Sequence, residues 1–214
     1  MTFDQRTSID AEADMIETTL RRWFGPTVGV AIRPIVPDPI LHPAEAAFVA
    51  GAVPSRRAEF AAGRAAARSA LAEIDAPPGA ILVGSLRQPM WPPGTLGAIS
   101  HDGRLACAVA ARCGWMNGLG LDLAVAARDL TPSAEALILH PAEVPGVIPA
   151  LLRFSIKESV VKAVSERVGH FLDPRTINVE CGAGTFFARV RGNQLSGWWQ
   201  RDQMYILTAA ILPF

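Results

Sequence analysis

Hydrophobic and polar positions follow a helical period in some segments of the chain and a strand period in others. Residues 11–24 read as an amphipathic helix, and a strand is expected at about 27–33. An Ala- and Arg-rich helix is predicted over about 54–74, followed by prolines and a glycine. Two apolar runs, 96–100 and 105–112, flank an Asp-Gly turn signal and predict a β-hairpin.

The second half opens with a predicted strand over 118–126. Its leucines alternate with Gly120, Asp122 and Ala124, so these three small or acidic residues share one face. A helix with an apolar valine stripe is expected over about 150–168. Three further strands are expected at about 176–181, 185–191 and 204–212.

A short internal repeat favours two similar halves. Leu41–Glu45 reads Leu-His-Pro-Ala-Glu, and Leu139–Glu143 repeats it. Each copy precedes a helix that we expect to begin with phenylalanine, at Phe60 and at Phe154. The predicted fold class is therefore α+β, built from two similar α/β halves.

Composition narrows the possible classes of protein. Half of the 214 residues are hydrophobic and 19% are charged, which excludes disorder for most of the chain. Lys+Arg and Asp+Glu both number 20, which argues against a nucleic-acid-coating protein. No apolar run is long enough to span a membrane, and early acidic residues argue against a signal peptide. Three cysteines without a metal or disulfide spacing favour a cytoplasmic location: Cys107, Cys113 and Cys181.

The segment 154–162, Phe-Ser-Ile-Lys-Glu-Ser-Val-Val-Lys, is the most informative candidate for chemistry. On a helix Glu158 and Lys162 are neighbours, so Glu158 could bind a cation while Lys157 and Lys162 hold phosphate oxygens. The alternative is structural: Ser155 and Glu158 match a capping box, and Glu158 with Lys162 matches an ordinary surface ion pair.

Asp122 adds a second carboxylate from a separate element. Small residues on its face leave room for a hydrated ion, and two oxygen ligands beside lysines suit Mg²⁺ on a diphosphate. Its alternative role is to cap a turn at the end of a strand.

Ser100-His101-Asp102 has the composition of a catalytic triad, but consecutive residues cannot reach the required geometry. His101 could donate to a phosphate or lie exposed in the hairpin. Arg56, Arg57 and Arg64 lie around the start of the first long helix, where they could bind an anion or form a solvated face. No Walker A or Rossmann glycine motif occurs in a suitable context.

Four motifs follow one another along the chain: Arg56…Glu59-Phe60-Ala61-Ala62-Gly63-Arg64, Trp91-Pro92…Ile99-Ser100-His101, Gly120-Leu121-Asp122-Leu123 and Phe154-Ser155-Ile156-Lys157-Glu158…Lys162. In this order and spacing they resemble the 4′-phosphopantetheinyl transferases, specifically the monomeric enterobactin-synthetase branch. The resemblance covers roughly residues 40–212.

The resemblance implies two halves, 1–116 and 117–214, related by a pseudo-twofold, with coenzyme A between them. It implies Mg²⁺-dependent transfer of phosphopantetheine from coenzyme A to a serine of an apo carrier protein, releasing adenosine 3′,5′-bisphosphate. By motif, the metal ligands would be Asp122 and Glu158, and the catalytic residues Glu158, the candidate base, and Lys162, an electrostatic contact. The coenzyme A contacts would be Arg56, Arg64, Arg87, Ser100, His101, Lys157 and Lys162.

One position departs from the family pattern. The strand motif usually has a second acid where this chain has Ala124, so water fills that site, metal binding is weaker, or activity is lost. A catalytically silent homologue that binds coenzyme A or the carrier for regulation is the main alternative function. A hydrolase using Ser100 is a third hypothesis, and we expect no labelling by a serine-directed phosphonate.

Overall fold

Two units make up the chain, and the computed structural model describes residues 3–127 and 130–214 of them. The first unit comprises Met1–Cys113 and the second Gly114–Phe214. Each unit contains an antiparallel sheet with helices packed against it. The prediction of a mixed fold of helices and strands is therefore confirmed.

The elements of the first unit are α1 (Phe3–Phe24), β1 (Val28–Pro34), α2 (Pro43–Ala46), α3 (Pro54–Glu73), β2 (Thr95–His101) and β3 (Leu105–Arg112). Its sheet has the strand order β1-β3-β2. Strands β2 and β3 form the predicted hairpin, in which Asp102 closes the turn by accepting hydrogen bonds from the backbone N–H groups of Arg104 and Leu105, both at 2.8 Å.

Small side chains bring α3 close to this sheet. Ala66, Ala67 and Ala70 on the helix are fully buried and cluster with Ala108 on β3. On β1, a Cβ atom added at Gly29 would lie 1.9 Å from the backbone oxygen of Ala70. The strand can therefore carry only glycine there, and the helix packs directly on its backbone.

The elements of the second unit are β4 (Met116–Val125), α4 (Pro132–Ala136), α5 (Ala150–Val168), β5 (Asn178–Cys181), β6 (Thr185–Val190), β7 (Asn193–Arg201) and β8 (Tyr205–Pro213). Its sheet is larger and has the strand order β4-β8-β7-β6-β5. Helix α5 lies on one face of this sheet and contacts β4 and β8.

Glycines on β4 determine how closely α5 approaches the strand. A Cβ atom at Gly120 would lie 1.8 Å from the backbone oxygen of Ser159, and one at Gly118 would lie 1.9 Å from that of Ala163. The face that carries Gly120 therefore packs against α5. Asp122 and Ala124 share this face by alternation, as predicted.

Three sequence predictions differ from the structure. Helix α1 begins at Phe3, eight residues before the predicted start. Strand β7, Asn193–Arg201, was not predicted. The helices predicted over about 54–74 and 150–168 are confirmed as α3 and α5, but the starts that the repeat placed at Phe60 and Phe154 are wrong. They begin at Pro54 and Ala150, because prolines at 54 and 149 suit the first turn and the cap of a helix.

The two copies of the Leu-His-Pro-Ala-Glu repeat make the same kinds of contact. In both, the histidine Nδ1 accepts a hydrogen bond from the backbone N–H two residues later, in His42 at 3.2 Å and in His140 at 3.0 Å. In both, the final glutamate is buried and pairs with a base on the following long helix: Glu45 with Arg68, and Glu143 with Lys157. The repeat therefore has a shared structural role within each unit.

Candidate active site

Asp122 lies at the centre of a hydrogen-bonded cluster between β4 and α5. The residue is only 8% exposed. Its Oδ2 accepts a hydrogen bond from the Ser155 hydroxyl at 2.8 Å, and its Oδ1 accepts one from Lys162 Nζ at 2.9 Å. Lys162 also donates to the backbone oxygen of Leu121 at 2.8 Å. Asp122 therefore lies within a strand rather than capping a turn.

Ser155 supports this carboxylate and Thr208 supports Ser155, two roles that were not predicted from the sequence. Their hydroxyl oxygens are 3.0 Å apart, and Thr208 donates to the backbone oxygen of Ser155 at 2.9 Å. Thr208 lies opposite Asp122 in the β4–β8 ladder. Because α5 begins at Ala150, Ser155 is inside the helix and the capping-box interpretation is wrong.

Glu158 is the second carboxylate of the cluster. It lies half-buried on α5, one turn before Lys162. Burial raises the pKa of Glu158 above its usual value; the Lys162 charge opposes the rise, and the negative charge of Asp122 adds to it. The two acids are thus close enough to repel each other, and a cation between them would relieve that repulsion.

The donor set suits a hard cation that keeps much of its water. Among the described residues no group of three or more His, Cys, Asp or Glu side chains could hold a metal ion. Two carboxylates from separate elements remain, Asp122 and Glu158, and Mg²⁺ is commonly held by one or two carboxylates together with water and substrate phosphate oxygens. The residues present therefore fit Mg²⁺ shared with a phosphate ligand.

Lys157 is placed differently from its neighbour Lys162. Its side chain is 1% exposed, and Nζ donates to Glu143 Oε2 at 2.8 Å and to the backbone oxygen of Ile138 at 2.6 Å. Burial lowers the pKa of Lys157, while Glu143 opposes that shift. The expected contact of Lys157 with a phosphate thus does not match the buried contacts in which the structure places it.

A second cluster lies in the first unit, where α3 begins and β2 ends. Arg56 Nη1 lies 3.0 Å from His101 Nε2 and 3.2 Å from Glu59 Oε2. The His101 ring is also 3.8 Å from Glu59. The structure therefore brings Arg56 and His101 together. Arg57, the adjacent alternative, is exposed on the same helix.

Arg64 adds a buried guanidinium to this unit. Its Nε donates to the backbone oxygen of Ile81 at 2.7 Å, and its guanidinium lies 4.4 Å from the centre of the Phe60 ring. Burial lowers the pKa of Arg64 to about 10; Glu45 opposes the shift, and the charges of Arg68 and Arg56 add to it. The charges of Arg68 and Arg56 thus act on the Arg64 guanidinium, and positive charge concentrated in this way favours an anion.

The remaining predicted residues are Ser100 and Arg87. Ser100 is buried on β2, and its neighbour His101 points to the opposite face of the strand. Because Asp102 holds the hairpin turn, these three residues do not form a catalytic triad. Arg87 lies in the turn after Gly84, and the contacts of the described residues do not connect it with Arg56 or Arg64.

No helix within residues 3–127 and 130–214 is long and apolar enough to cross a membrane.

Comparison with known proteins identifies the family. A sequence model of the 4′-phosphopantetheinyl transferase N-terminal domain matches residues 44–111. The 4′-phosphopantetheinyl transferase Svp of Streptomyces mobaraensis is 35% identical over 216 residues, covering 91% of this chain and 88% of the relative.

Two other relatives support the same assignment. The 4′-phosphopantetheinyl transferase PptT of Mycobacterium tuberculosis is 31% identical over 196 residues, covering 79% of this chain and 85% of the relative. Enterobactin synthase component D of Salmonella typhi is 41% identical over 124 residues, covering 53% of this chain and 50% of the relative. The resemblance found in the sequence is thereby confirmed: the chain belongs to the 4′-phosphopantetheinyl transferase family, in the branch that includes enterobactin synthase component D.

Proposed function

We propose that this chain transfers the 4′-phosphopantetheine arm of coenzyme A to a serine of an apo acyl or peptidyl carrier protein, releasing adenosine 3′,5′-bisphosphate. The observation that carries the proposal is the similarity to Svp over nine-tenths of the chain. The cluster of Asp122, Glu158 and Lys162 supports it, because this cluster has the charges that a diphosphate and a divalent cation require.

The reaction forms a bond between the serine oxygen and the β-phosphorus of coenzyme A and breaks the bond from that phosphorus to the bridging oxygen. Negative charge grows on the departing oxygen, and fixed cations stabilise it. Lys162 serves as one such cation. Glu158 accepts the serine proton, directly or through a water that it orients.

Asp122 and Glu158 would hold Mg²⁺ in this proposal. The ion supplies positive charge to the diphosphate oxygens when bound. The Ser155 hydroxyl holds the Asp122 carboxylate in a fixed orientation, and Thr208 in turn contacts Ser155. Ala124 leaves the second acidic position of the family motif without a carboxylate, and water takes that position in our proposal.

The first unit would bind the 3′-phosphate of coenzyme A. Arg56, Arg64 and His101 are the proposed contacts, with Ser100 on β2 and Arg87 in the turn after Gly84 as further contacts. Burial lowers the pKa of Arg64, and the charges of Arg68 and Arg56 add to that shift; an added phosphate would relieve this repulsion, which supports the assignment. In our proposal the half formed by residues 1–116 binds the 3′-phosphate, and the half formed by residues 117–214 carries the metal site and the phosphate-binding helix.

We also propose that the two halves arose by duplication and are related by the pseudo-twofold expected for the family. The matching contacts of Glu45 and Glu143 support this history. We further propose that the protein is a cytoplasmic monomer that binds coenzyme A and apo carrier proteins in solution.

Mass spectrometry tests the activity directly. The protein is mixed with coenzyme A, Mg²⁺ and a panel of apo carrier proteins, and we expect about 340 Da to be added to the serine of at least one carrier. The alternative is a silent homologue that binds coenzyme A or a carrier for regulation, which Ala124 favours. Binding of coenzyme A without an adduct on any carrier would support that alternative and contradict the transferase proposal.

Replacement of Arg56 with glutamine tests the 3′-phosphate site. The variant loses one guanidinium contact, so KM for coenzyme A should rise about tenfold, as expected for a hydrogen bond to a charged group. KM for 3′-dephospho-coenzyme A should change less than twofold, because that donor lacks the phosphate. Steady-state kinetics with both donors measures the difference.

Arg57→Gln is the matched control, since Arg57 is exposed one position further along α3. It should leave KM for both donors within a factor of about two. Equal losses with the two donors in the Arg56 variant would show that Arg56 does not recognise the 3′-phosphate.

A further inference from the structure

Lys157, in the first half of α5, forms a buried ion pair with Glu143 from the segment before the helix. Their side chains are 1% and 3% exposed. Lys157 Nζ donates to Glu143 Oε2 at 2.8 Å and to the Ile138 backbone oxygen at 2.6 Å. An ammonium has three donors, and two of them are used by buried acceptors. Lys157 therefore has the environment of a structural cation rather than of a surface phosphate ligand.

Glu143 connects Lys157 with two other parts of the unit. Its Oε2 also accepts a hydrogen bond from the backbone N–H of His140 at 3.0 Å, and its Oε1 accepts one from that of Val179 on β5 at 2.9 Å. The carboxylate thus joins the segment before α5, the helix itself and an outer strand of the sheet. A side chain on α5 that binds this carboxylate is held in one orientation.

The first unit repeats this arrangement at the other copy of the Leu-His-Pro-Ala-Glu motif. Glu45 is fully buried, accepts two hydrogen bonds from Arg68 at 2.7 and 2.9 Å, and accepts one from the backbone N–H of Ile81 at 2.9 Å. In both units one carboxylate oxygen receives a backbone N–H from a later segment, and the carboxylate pairs with a base on the long helix. Lys157 therefore corresponds in its contacts to Arg68.

The consequence for Glu158 follows from helix geometry. Consecutive residues on an α-helix point about 100° apart, so fixing the direction of Lys157 also fixes the direction of Glu158. Contacts of α5 with Gly118 and Gly120, and the hydrogen bonds from Ser155 and Lys162 to Asp122, hold the face of the helix that lies on β4. Ion pairing of Lys157 with Glu143 constrains the rotation of α5 from another side of the helix.

We propose that Lys157 and Glu143 are positioning residues: their buried ion pair fixes the rotation of α5 and so directs Glu158 towards Asp122, and Lys157 does not bind a coenzyme A phosphate. This inference rests on the proposed transferase function. The inference changes the role of Lys157 from a phosphate contact to a positioning residue, while its neighbour Glu158 keeps its role. It also gives a positioning role to Glu143, which lies outside the four family motifs.

Three substitutions test the inference: Lys157→Met, Lys157→Arg and Glu143→Gln. We expect Lys157→Met and Glu143→Gln to lower kcat on the order of 10- to 100-fold, the effect of a small misplacement of a catalytic group. Lys157→Arg should retain at least about half of kcat, because arginine makes the equivalent contact at Arg68. The dissociation constant for coenzyme A, measured by calorimetry without metal, should stay within about twofold in all three variants.

Lys162→Met provides the comparison for a true phosphate contact and should weaken coenzyme A binding about tenfold. Arg189→Met removes an exposed ion pair in the same unit and should change neither quantity. Since loss of one buried partner can unfold the protein, thermal unfolding is recorded for every variant, and the double variant Lys157→Met with Glu143→Gln removes both charges together. Its kcat should equal that of the worse single variant.

The outcomes separate the two proposals. A tenfold weaker coenzyme A affinity in Lys157→Met, with normal affinity in Glu143→Gln, would overturn the positioning role. A normal kcat in a folded Glu143→Gln variant would also overturn the positioning role, because the ion pair would then stabilise the fold without directing Glu158. Absence of transfer by the wild-type protein would instead contradict the proposed function, while the calorimetric comparison of variants would still decide how Lys157 acts.

Discussion

Replacing Glu158 with glutamine is expected to lower kcat for phosphopantetheine transfer by about 1,000-fold or more. Glutamine keeps the size of the side chain but removes the negative charge and the ability to accept a proton. Loss of charge removes one of the two carboxylates proposed to hold Mg²⁺, and loss of the base slows attack by the serine. Quantitative mass spectrometry of the modified carrier, with and without added Mg²⁺, measures the loss.

Thermal unfolding separates this catalytic loss from a folding defect. Burial raises the pKa of Glu158, so its charged form is less stable in the folded protein than in water. A neutral amide avoids that cost, and the Glu158→Gln variant should unfold at the wild-type temperature or above it. Glu180→Gln, at an exposed ion pair in the same unit, should keep both activity and stability. Transfer within tenfold of wild type in Glu158→Gln would remove the role assigned to Glu158.

Replacing Gly120 with alanine is expected to destabilise the protein by about 3 kcal/mol. The new methyl group would lie 1.8 Å from the Ser159 backbone oxygen and 3.0 Å from the Ala163 backbone nitrogen. These atoms belong to the hydrogen-bonded backbone of α5, so the whole helix must move away from β4. Equilibrium denaturation in urea measures the change in the free energy of unfolding, and a fall in transfer should accompany it because α5 carries Glu158.

Gly79→Ala is the matched control for this prediction. A Cβ atom at Gly79 meets no heavy atom within 4 Å, and its backbone does not have a positive φ. The control variant should therefore change the free energy of unfolding by less than about 0.5 kcal/mol. If Gly120→Ala were as stable as Gly79→Ala, the close packing of α5 on β4 would not hold in solution.

Strong local periodicity made several elements predictable from sequence. The valine stripe predicted α5 over the residues where it occurs, and the structure adds that Gly169 adopts the left-handed conformation of a helix C-cap. Strand β7 was missed because Gly197 interrupts its apolar alternation. That glycine is required by the fold, since a Cβ atom there would lie 2.1 Å from the Ala209 backbone oxygen. Such a contact depends on a neighbouring strand and leaves no local signal.

For the candidate site, the sequence predicts only the type of each residue and the face of the strand or helix on which it lies. Asp122 could be singled out because alternation on β4 sets it beside small residues, and the structure gives it a buried hydrogen-bonded position. Lys157 and Lys162 carry the same charge on one helix, and only the elements packed around that helix distinguish them. Thr208 was missed for a related reason: it reaches Asp122 through the pairing of β4 with β8, which are distant in sequence.

The ammonium of Lys162 beside Asp122 gives this acidic pocket a counter-ion of its own. A site of bare carboxylates depends on metal to offset mutual repulsion while the chain folds, as structural metal domains depend on theirs. Here the lysine is already in place, so the chain can fold when divalent ions are scarce. In the proposed mechanism, metal availability then governs the rate of phosphopantetheine transfer rather than the amount of folded protein.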